Sequence, residues 1–200
     1  MRKPTFTIEK KLHAQGFSLI AGVDEVGCGP LAGPVVAAAV ILPLNCQIKG
    51  LDDSKKLLPR KREELCHEIK SKALAISVSR VSHRIIDKIN IHQANLLALK
   101  IAVEKLAIQP DYILIDGARN YIDLSIPQRS FNYGDAKCAS IAAASIIAKV
   151  TRDRLMLQYH QKYPRYKFDR HKGYGTKLHI AMIVKYGRCP IHRKSFVFSA

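Results

Sequence analysis

The sequence contains no apolar stretch long enough to cross a lipid bilayer. Such a span needs roughly 20 consecutive apolar residues, and the strongest candidate, residues 139–148, carries two serines and ends at Lys149. The N-terminal segment MRKPTFTIEKKLHAQGF also lacks the apolar region of a secretory signal. We therefore expect neither a membrane span nor a secretory leader.

Paired cysteines are also lacking. The chain has 5 cysteines, an odd number, and none of them forms a C-x-x-C pair. This pattern is not typical of a disulfide framework, which requires an even set in an oxidising compartment. We expect a reduced, cytoplasmic protein whose cysteines mostly fill small spaces in the core.

Acidic residues are scarce relative to basic ones. The 200 residues include 33 Lys and Arg but only 16 Asp and Glu, which gives a formal net charge of +17. An excess of this size indicates a polyanionic partner, either nucleic acid or an anionic membrane surface. Since 48% of the residues are hydrophobic, the chain can bury a core, and disorder is excluded.

Strand and helix patterns alternate along the chain without a repeat. We predict strands at Ser18–Glu25, Val35–Leu42, Leu74–Val81 and 111–117, the first two as a hairpin around a glycine-rich turn. We predict helices at 59–73, 91–108, 135–163 and 175–187, the third opened by Asp135 and the last closed by Gly187. This order indicates an α/β fold with a mixed sheet and helices on its faces.

Four acidic residues lie at predicted strand ends and at a predicted helix start, where active sites of such sheets commonly lie. Asp24 and Glu25 end the first predicted strand, Asp116 ends another, and Asp135 begins the long predicted helix. If the strands are neighbours, the acids could meet at one sheet edge, where a divalent cation would relieve their repulsion. Alternatively, each acid is separately solvated or paired with a lysine. That alternative is weaker for Asp24 and Glu25, because core packing does not explain two charges followed by three glycines.

A set of motifs resembles the type 2 ribonuclease H family, in particular bacterial ribonuclease HII. The motifs occur in the family's order over about residues 22–196 and read GVDEVGCGPLAGPVVAAAVIL, LDDSKKL, YILIDG, GDAKCASIAAASIIAKVTRDRLM, HKGYGT and HRKSF. The resemblance implies an RNase H-like fold, with a mixed five-stranded sheet flanked by helices and a C-terminal helical extension. It implies a single catalytic domain over 1–200, with a core at about 12–165 and the extension at about 166–200.

The same resemblance implies the chemistry. The family's four active-site acids correspond to Asp24, Glu25, Asp116 and Asp135, which would bind two Mn²⁺ or Mg²⁺ ions through Asp24, Glu25 and Asp116, with Asp135 in partial or indirect contact. One ion would activate the attacking water and the other would stabilise the leaving 3′-oxygen. The implied enzyme is a monomeric endoribonuclease that hydrolyses the RNA strand of RNA–DNA hybrids. It would also cut 5′ of single ribonucleotides in duplex DNA, leaving 5′-phosphate and 3′-hydroxyl ends. The other interpretation of Asp135 is a helix cap.

The glycine-rich turn is the expected reader of the ribose. Backbone groups of Gly27, Cys28 and Gly29 could approach a 2′-hydroxyl closely, because glycine permits close contact. An ordinary tight hairpin is the alternative, and both can hold. The family usually has a basic residue where this chain has Cys28, so its side chain cannot offer the phosphate contact. A second departure is Tyr133, where the family commonly has lysine.

The remaining substrate contacts implied by the resemblance are basic and aromatic. They fall on Ser54, Lys55 and Lys56 in DDSKKL, and on Lys172 and Tyr174 in HKGYGT. The tyrosine would pack against the sugar at the RNA–DNA junction. The alternatives are a solvated lysine pair and a half-buried tyrosine that covers the core.

The long predicted helix carries a further basic pair, Lys149 and Arg152, three residues apart on one face. They could contact phosphate, or they could balance Asp153, which lies four residues after Lys149. Both interpretations stay open.

Two other function classes compete with a metal-dependent nuclease. A non-catalytic, basic nucleic-acid-binding protein would fit the charge but would not need the acid cluster. Another phosphoryl transferase of the same fold, such as a junction resolvase, would share the acids but would not need the ribose-reading segments. Cleavage of a duplex with one embedded ribonucleotide separates these classes.

Overall fold

A mixed five-stranded sheet forms the centre of the molecule, and helices pack on both of its faces. The computed structural model describes residues 3–118 and 120–197. The strands are β1 (Ile20–Val26), β2 (Val35–Ile41), β3 (Ala75–Val81), β4 (Tyr112–Asp116) and β5 (Gln128–Phe131), in the order β3-β2-β1-β4-β5. The helices are α1 (Thr7–His13), α2 (Pro59–Lys72), α3 (His83–Ile89), α4 (Ile91–Glu104), α5 (Ala139–Lys162), α6 (Phe168–His171) and α7 (Lys177–Tyr186). The expected α/β class and five-stranded sheet are confirmed.

Strand direction places the carboxyl ends of β1, β4 and β5 at one edge. The first three strands form an antiparallel meander, whereas β1 pairs with β4, and β4 with β5, in parallel. The last registered pair between β1 and β4 is Val23 with Ile115. Asp24 and Asp116 therefore follow side by side.

The apolar sequence of β2, VVAAAVI, follows from burial on both faces. Ala37 and Ala39 pack in a cluster with α4, whereas Ala38 and Val40 pack in a second cluster with α2 and α5. A strand covered on both faces shows a continuous apolar run instead of alternation.

Helix α5 lies unusually close to the sheet, because small side chains separate the two. A Cβ atom at Gly22 of β1 would overlap the backbone of Ser140. The N-terminus of α5 is capped by a residue of another helix, Glu9 of α1. Its Oε1 accepts hydrogen bonds from the N–H (3.0 Å) and the hydroxyl (2.8 Å) of Ser140. A carboxylate at a helix N-terminus is favourable because it satisfies free N–H groups.

The prediction that Asp135 opens the long helix is wrong. Asp135 lies on a separate 3₁₀ turn, Gly134–Ala136, and α5 begins at Ala139 after the extended residue Cys138. Because the chain bends between turn and helix, Asp135 does not cap α5, and Glu9 supplies that role. The sequence patterns also did not predict α1, α3 or β5.

The segment after α5 packs onto the turn between β1 and β2. A cluster of Met156, Tyr166, Phe168 and Ile191 closes around Ala32 of that turn. Helix α7 begins two residues later than expected, with Thr176 as its N-cap, and Gly187 follows its last turn as expected. The boundary expected near residue 165 stays a prediction.

Within residues 3–118 and 120–197, no helix is both long and apolar enough to span a membrane.

Candidate active site

Three carboxylates meet at the edge where β1 and β4 end. Carboxylate oxygens of Asp24, Asp116 and Asp135 all lie within 4.8 Å of one another. The 3₁₀ turn brings in the third acid, because the N–H of Gly134 donates a hydrogen bond of 2.6 Å to Oδ1 of Asp116. The structure thus brings together acids that are far apart in the sequence.

Glu25 lies beside this trio but is held by different neighbours. Its backbone N–H donates to Oδ1 of Asp24 at 2.7 Å. Its carboxylate receives a hydrogen bond from the side chain of Asn95 on α4, and the Cys28 thiol lies 3.9 Å from its Oε1. The expected metal set of Asp24, Glu25 and Asp116 thus differs from the close trio, in which Asp135 takes the place of Glu25.

The electrostatics of the cluster favour a bound cation. Burial, with Glu25 and Asp116 nearby, raises the pKa of Asp24 well above its usual range. Burial and Asp116 raise the pKa of Glu25 to about 7 and that of Asp135 to about 6. These shifts mean that the ionised carboxylates repel one another without enough compensating charge.

The donor set fits a hard divalent ion. Several carboxylate oxygens at short range are the ligands that Mg²⁺ and Mn²⁺ prefer. Asp24, Asp116 and Asp135 could bind such an ion directly, and Glu25 lies close enough to line the same site. The family-based expectation of a divalent cation is therefore compatible with the side chains present.

An open cleft of about 510 Å³ leads to the acids. Its lining is Asp24, Glu25, Val26, Ser54, Lys55, Arg62, Ser145, Lys149 and Tyr174. The cleft therefore combines acids at its base with lysines and a tyrosine around it, as an anionic substrate held near a cation requires.

The DDSKKL segment contributes differently through each of its candidate residues. Ser54 is buried, with its hydroxyl 2.9 Å from that of Ser145, which in turn hydrogen bonds to Asp24. Lys55 faces the acids: burial disfavours its charge, but Asp135 and Asp24 outweigh burial and raise its pKa. Lys56 lies 3.7 Å from a carboxylate oxygen of Asp52.

Two buried arginines hold the glycine-rich turn from below. Arg193 donates to the carbonyls of Gly27 (2.5 Å), Cys28 (2.8 Å) and Gly33 (3.0 Å). Arg152 contacts Gly27 so closely that a Cβ there would overlap its side chain. Gly27 also has a φ of +101°, a backbone conformation that residues with a side chain rarely adopt. Glycine is required here by both backbone conformation and space.

Arg152 also joins the turn to the HKGYGT segment. It donates to the carbonyls of Ala32 (3.2 Å), Pro34 (3.1 Å) and Lys172 (3.0 Å). Its guanidinium lies 5.7 Å from the ring centroid of Tyr174, which is 39% exposed. Because Arg152 is completely buried, it positions backbone and does not reach phosphate, whereas Lys149 pairs with Asp153 at 2.7 Å.

The other members of the turn and of HKGYGT are placed as follows. The side of Gly29 where a Cβ would lie is open. Lys172 donates from Nζ to the carbonyl of Asp169. Tyr133 is 72% exposed, in the left-handed conformation that precedes the Asp135 turn.

Sequence reasoning did not assign these supporting roles. Asn95 and Ser145 hold the acids from α4 and α5, and Arg152 and Arg193 hold the turn. A buried arginine inside a polar motif such as TRDRL or HRKSF is the only signal that could have suggested the last two. Nothing local marks Asn95, because its partner lies about 70 residues earlier in the chain.

The comparison with known families decides which family the chain belongs to. The family model described as Ribonuclease HII matches residues 21–198, which covers all four acids. This chain belongs to the ribonuclease HII family. Ribonuclease HII enzymes are divalent-metal-dependent hydrolases of the ribonuclease H type, so the chain is a nuclease of that type.

Individual relatives agree with the ribonuclease HII assignment. Ribonuclease HII of Geobacter metallireducens is 54% identical over 191 residues, 96% of this chain and 89% of that protein. The crystal structure of ribonuclease H2 from Pyrococcus horikoshii has a TM-score of 0.75 at 28% identity, and covers 88% of this chain and 93% of that one. Bst-RNase HIII, solved in complex with Mn²⁺, shares the fold at 21% identity and a TM-score of 0.63, over 85% of this chain and 63% of that one.

Proposed function

We propose that this ribonuclease HII hydrolyses the RNA strand of RNA–DNA hybrids and cuts 5′ of single ribonucleotides embedded in duplex DNA. The products would carry 5′-phosphate and 3′-hydroxyl ends. The observation that carries the proposal is the convergence of Asp24, Asp116 and Asp135 within 4.8 Å, where Asp24 lines a cleft that also carries basic side chains.

The acids would hold two Mg²⁺ or Mn²⁺ ions. When bound, these ions supply a water of lowered pKa as nucleophile and charge stabilisation for the leaving 3′-oxygen. Asp24 and Asp116, on adjacent strands, are the rigid ligands, and Asp135 and Glu25 complete the set. Ser145 and Asn95 orient Asp24 and Glu25 by hydrogen bonds, as groups behind metal ligands commonly do.

The cleft would hold the scissile strand by its phosphates. Lys55 faces the acids, so its ammonium can bind a phosphate oxygen close to the reacting bond. Lys56 and Lys172 would extend this basic path, and Ser54 would bound it from the buried side. The basic surface supplies affinity, and the acids supply the chemistry.

Discrimination of RNA from DNA would rest on the turn and on Tyr174. Gly27, Cys28 and Gly29 present backbone to the sugar, and buried Arg193 fixes that backbone by donating to the carbonyls of Gly27 and Cys28. Tyr174 lines the same cleft as Asp24 and Glu25, so its ring can pack on the sugar next to the reacting phosphate. The 2′-hydroxyl is the group that distinguishes the two nucleic acids.

We place the enzyme in the cytoplasm as a monomer that acts on nucleic acid and not on membranes. The five cysteines are free thiols, which suits a reducing compartment.

A panel of three substrates tests the proposal. Wild-type protein is incubated with Mg²⁺ or Mn²⁺ and a continuous hybrid, a duplex with one ribonucleotide, or an all-DNA four-way junction. We expect cleavage of the first two, with the cut 5′ of the ribonucleotide, and no cleavage of the junction. Cutting of the junction alone would identify a resolvase, and binding without cutting would identify a non-catalytic binding protein; either result overturns the proposal.

A further inference from the structure

The loop that carries Tyr174 is supported from below by three buried histidines. His171, His179 and His192 are 8%, 0% and 3% exposed. They come from α6, from the start of α7, and from the segment after α7. None of them lines the cleft, so the mechanism proposed above gives them no task.

His179 and His192 form a chain of hydrogen bonds, and the groups at its two ends determine which ring nitrogens carry hydrogen. The carbonyl of Tyr174 can only accept, so Nδ1 of His179, 2.9 Å away, must donate. In a neutral ring Nε2 of His179 then accepts, and Nε2 of His192, 3.0 Å away, must donate. This leaves Nδ1 of His192 as an acceptor, and it accepts from the N–H of Cys189 at 2.8 Å.

The third histidine supports the same loop from the other side. Nδ1 of His171 accepts from the N–H of Gly173 at 3.1 Å, and its Nε2 lies 2.8 Å from the carbonyl of Tyr166, to which it donates. Its ring stacks on His179, with centroids 4.2 Å apart and planes 18° apart. The backbone on both sides of the Gly173–Tyr174 bond is therefore held by imidazoles.

We propose that His179 and His192 form a neutral histidine relay that fixes the backbone of Tyr174 and thereby sets the preference of the enzyme for single embedded ribonucleotides. His179 is a positioning residue, which acts through Tyr174 and touches no substrate. The inference rests on the proposed function in one respect, namely that Tyr174 contacts the sugar.

The geometry explains why histidine is needed in this relay. Each ring must accept at one nitrogen and donate at the other, 3.0 Å from its partner, which an apolar side chain cannot do. An amide can replace one end only: after His179→Asn the side-chain amide could still donate to the Tyr174 carbonyl, because its nitrogen lies near the position of the imidazole Nδ1. His179→Leu removes the donor, and His179→Asn keeps it.

Backbone hydrogen exchange tests the relay without reference to activity. Exchange is measured by mass spectrometry on the peptide spanning residues 172–178 in wild type, His179→Leu, His179→Asn and His192→Asn. His67→Leu, on the exposed surface of α2, is the matched control. We expect about tenfold faster exchange in His179→Leu, smaller increases in His179→Asn and His192→Asn, each of which breaks only the link between the two side chains, and wild-type exchange in His67→Leu.

Kinetics test the consequence for specificity. The measured quantity is the ratio of kcat/KM for a duplex with one ribonucleotide to kcat/KM for a continuous hybrid. We expect His179→Leu to lower this ratio about tenfold and His179→Asn to restore it to within about twofold. In a Tyr174→Ala background His179→Leu should add less than about twofold, because both changes remove the same interaction.

The outcomes separate this inference from the proposed function. If wild type cleaves neither substrate, the proposed function fails, and hydrogen exchange still decides whether the relay holds the loop. Unchanged exchange in both His179→Leu and His192→Asn overturns the relay. A ratio that falls equally with and without Tyr174 shows that His179 does not act through Tyr174, and if His179→Leu does not fold, the same comparison is made with His192→Asn.

Discussion

Cys28 stands where the resemblance to the ribonuclease HII family leads us to expect a basic residue, and its surroundings show what a basic side chain would change. Its carbonyl is held by Arg193 at 2.8 Å, and its thiol lies 3.9 Å from Oε1 of Glu25. The turn therefore keeps its backbone anchor without a basic side chain. A basic side chain here would add one positive charge beside the acids, close to Glu25.

We expect Cys28→Arg to tighten substrate binding. A guanidinium at this position adds a charge-assisted hydrogen bond to phosphate, typically worth about 1.5–3 kcal/mol when partly desolvated. The measurement is KM on a duplex with one ribonucleotide, under reducing conditions, with Cys28→Ser as a neutral control. KM should fall for Arg and stay near wild type for Ser; an unchanged KM for Arg would mean that this side chain does not face phosphate.

At the scale of elements, the contact between β1 and α5 sets the position of Asp24. Gly22 allows α5 to approach the strand, and Ser145 on the same helix hydrogen bonds to Asp24. A side chain at residue 22 would push the helix away from the sheet. Stability and site geometry therefore depend on the same contact.

Gly22→Ala should destabilise the protein by about 3 kcal/mol or more, since overpacking against backbone commonly costs about 1–3 kcal/mol and no flexible side chain can yield here. Gly29→Ala is the matched control, because a Cβ at Gly29 has no neighbour within 4 Å. Urea denaturation measures both variants. Equal stabilities would show that α5 does not lie as close to β1 as described.

The histidine relay predicts how stability depends on pH. Burial, together with the charged or titratable groups that face them, Arg188, His171 and His83, lowers the pKa of His179 and His192 to about 4. Since these folded-state values lie below the usual value near 6.5, the unfolded chain binds protons that the folded chain does not. Stability should therefore fall as pH drops from about 6.5 to about 4.

Thermal unfolding between pH 7 and pH 4 measures this contribution. The two rings together should account for at least about 1 kcal/mol, or roughly 2–4 °C in Tm. His179→Asn should show a shallower decline than wild type, whereas His67→Asn, on the exposed surface, should not differ from wild type. Parallel curves for wild type and His179→Asn would contradict the low pKa.

Sequence patterns predicted the elements whose signals are local. The hairpin, the strand ending at Asp116 and the helix closed by Gly187 all appear where periodicity and glycine indicated. Strand β5, Gln128–Phe131, was missed because four half-exposed residues at a sheet edge carry no alternation. We predicted the turn that carries Asp135 and α5 as one helix, because the residues around Cys138 give no sign that the chain is extended at Cys138.

The candidate site was predictable only in part, for the same reason. The acids lie in motifs, so sequence could name them, but their supports come from other elements. Asn95, Ser145 and Arg193 act on residues that are distant in sequence, and such pairings depend on the register of the sheet and the packing of the helices. A local pattern does not contain that information.

At the scale of the whole molecule, the excess of positive charge should govern affinity. A formal charge of +17 predicts that binding of a hybrid weakens steeply with salt, with a logarithmic slope of about −0.9 per neutralised phosphate if duplex DNA is a fair guide. Fluorescence anisotropy titrations in the presence of a metal chelator measure binding of the hybrid without its cleavage. Lys55→Gln should reduce the slope by about one phosphate, and Lys11→Gln, on exposed α1, should not.

A nearly flat dependence of affinity on salt would contradict this view. It would mean that the basic side chains lie away from the surface that binds nucleic acid. If the affinities of Lys55→Gln and wild type depended equally on salt, only the proposed contact between Lys55 and phosphate would be wrong.

The central claim is that the carboxylates at the ends of β1 and β4 carry the chemistry, and Asp116→Asn tests it most directly. The asparagine oxygen can still accept the hydrogen bond from Gly134, so the turn with Asp135 should stay in place while a charged ligand is lost. The control is Asp123→Asn. The Asp123 carboxylate is fully exposed, and among the ion pairs described it pairs only with Lys100, at 3.2 Å. We predict that Asp116→Asn loses at least about a hundredfold in cleavage of a single-ribonucleotide duplex with Mg²⁺, while it binds the duplex as tightly as Asp123→Asn and wild type. Wild-type cleavage by Asp116→Asn would contradict the account.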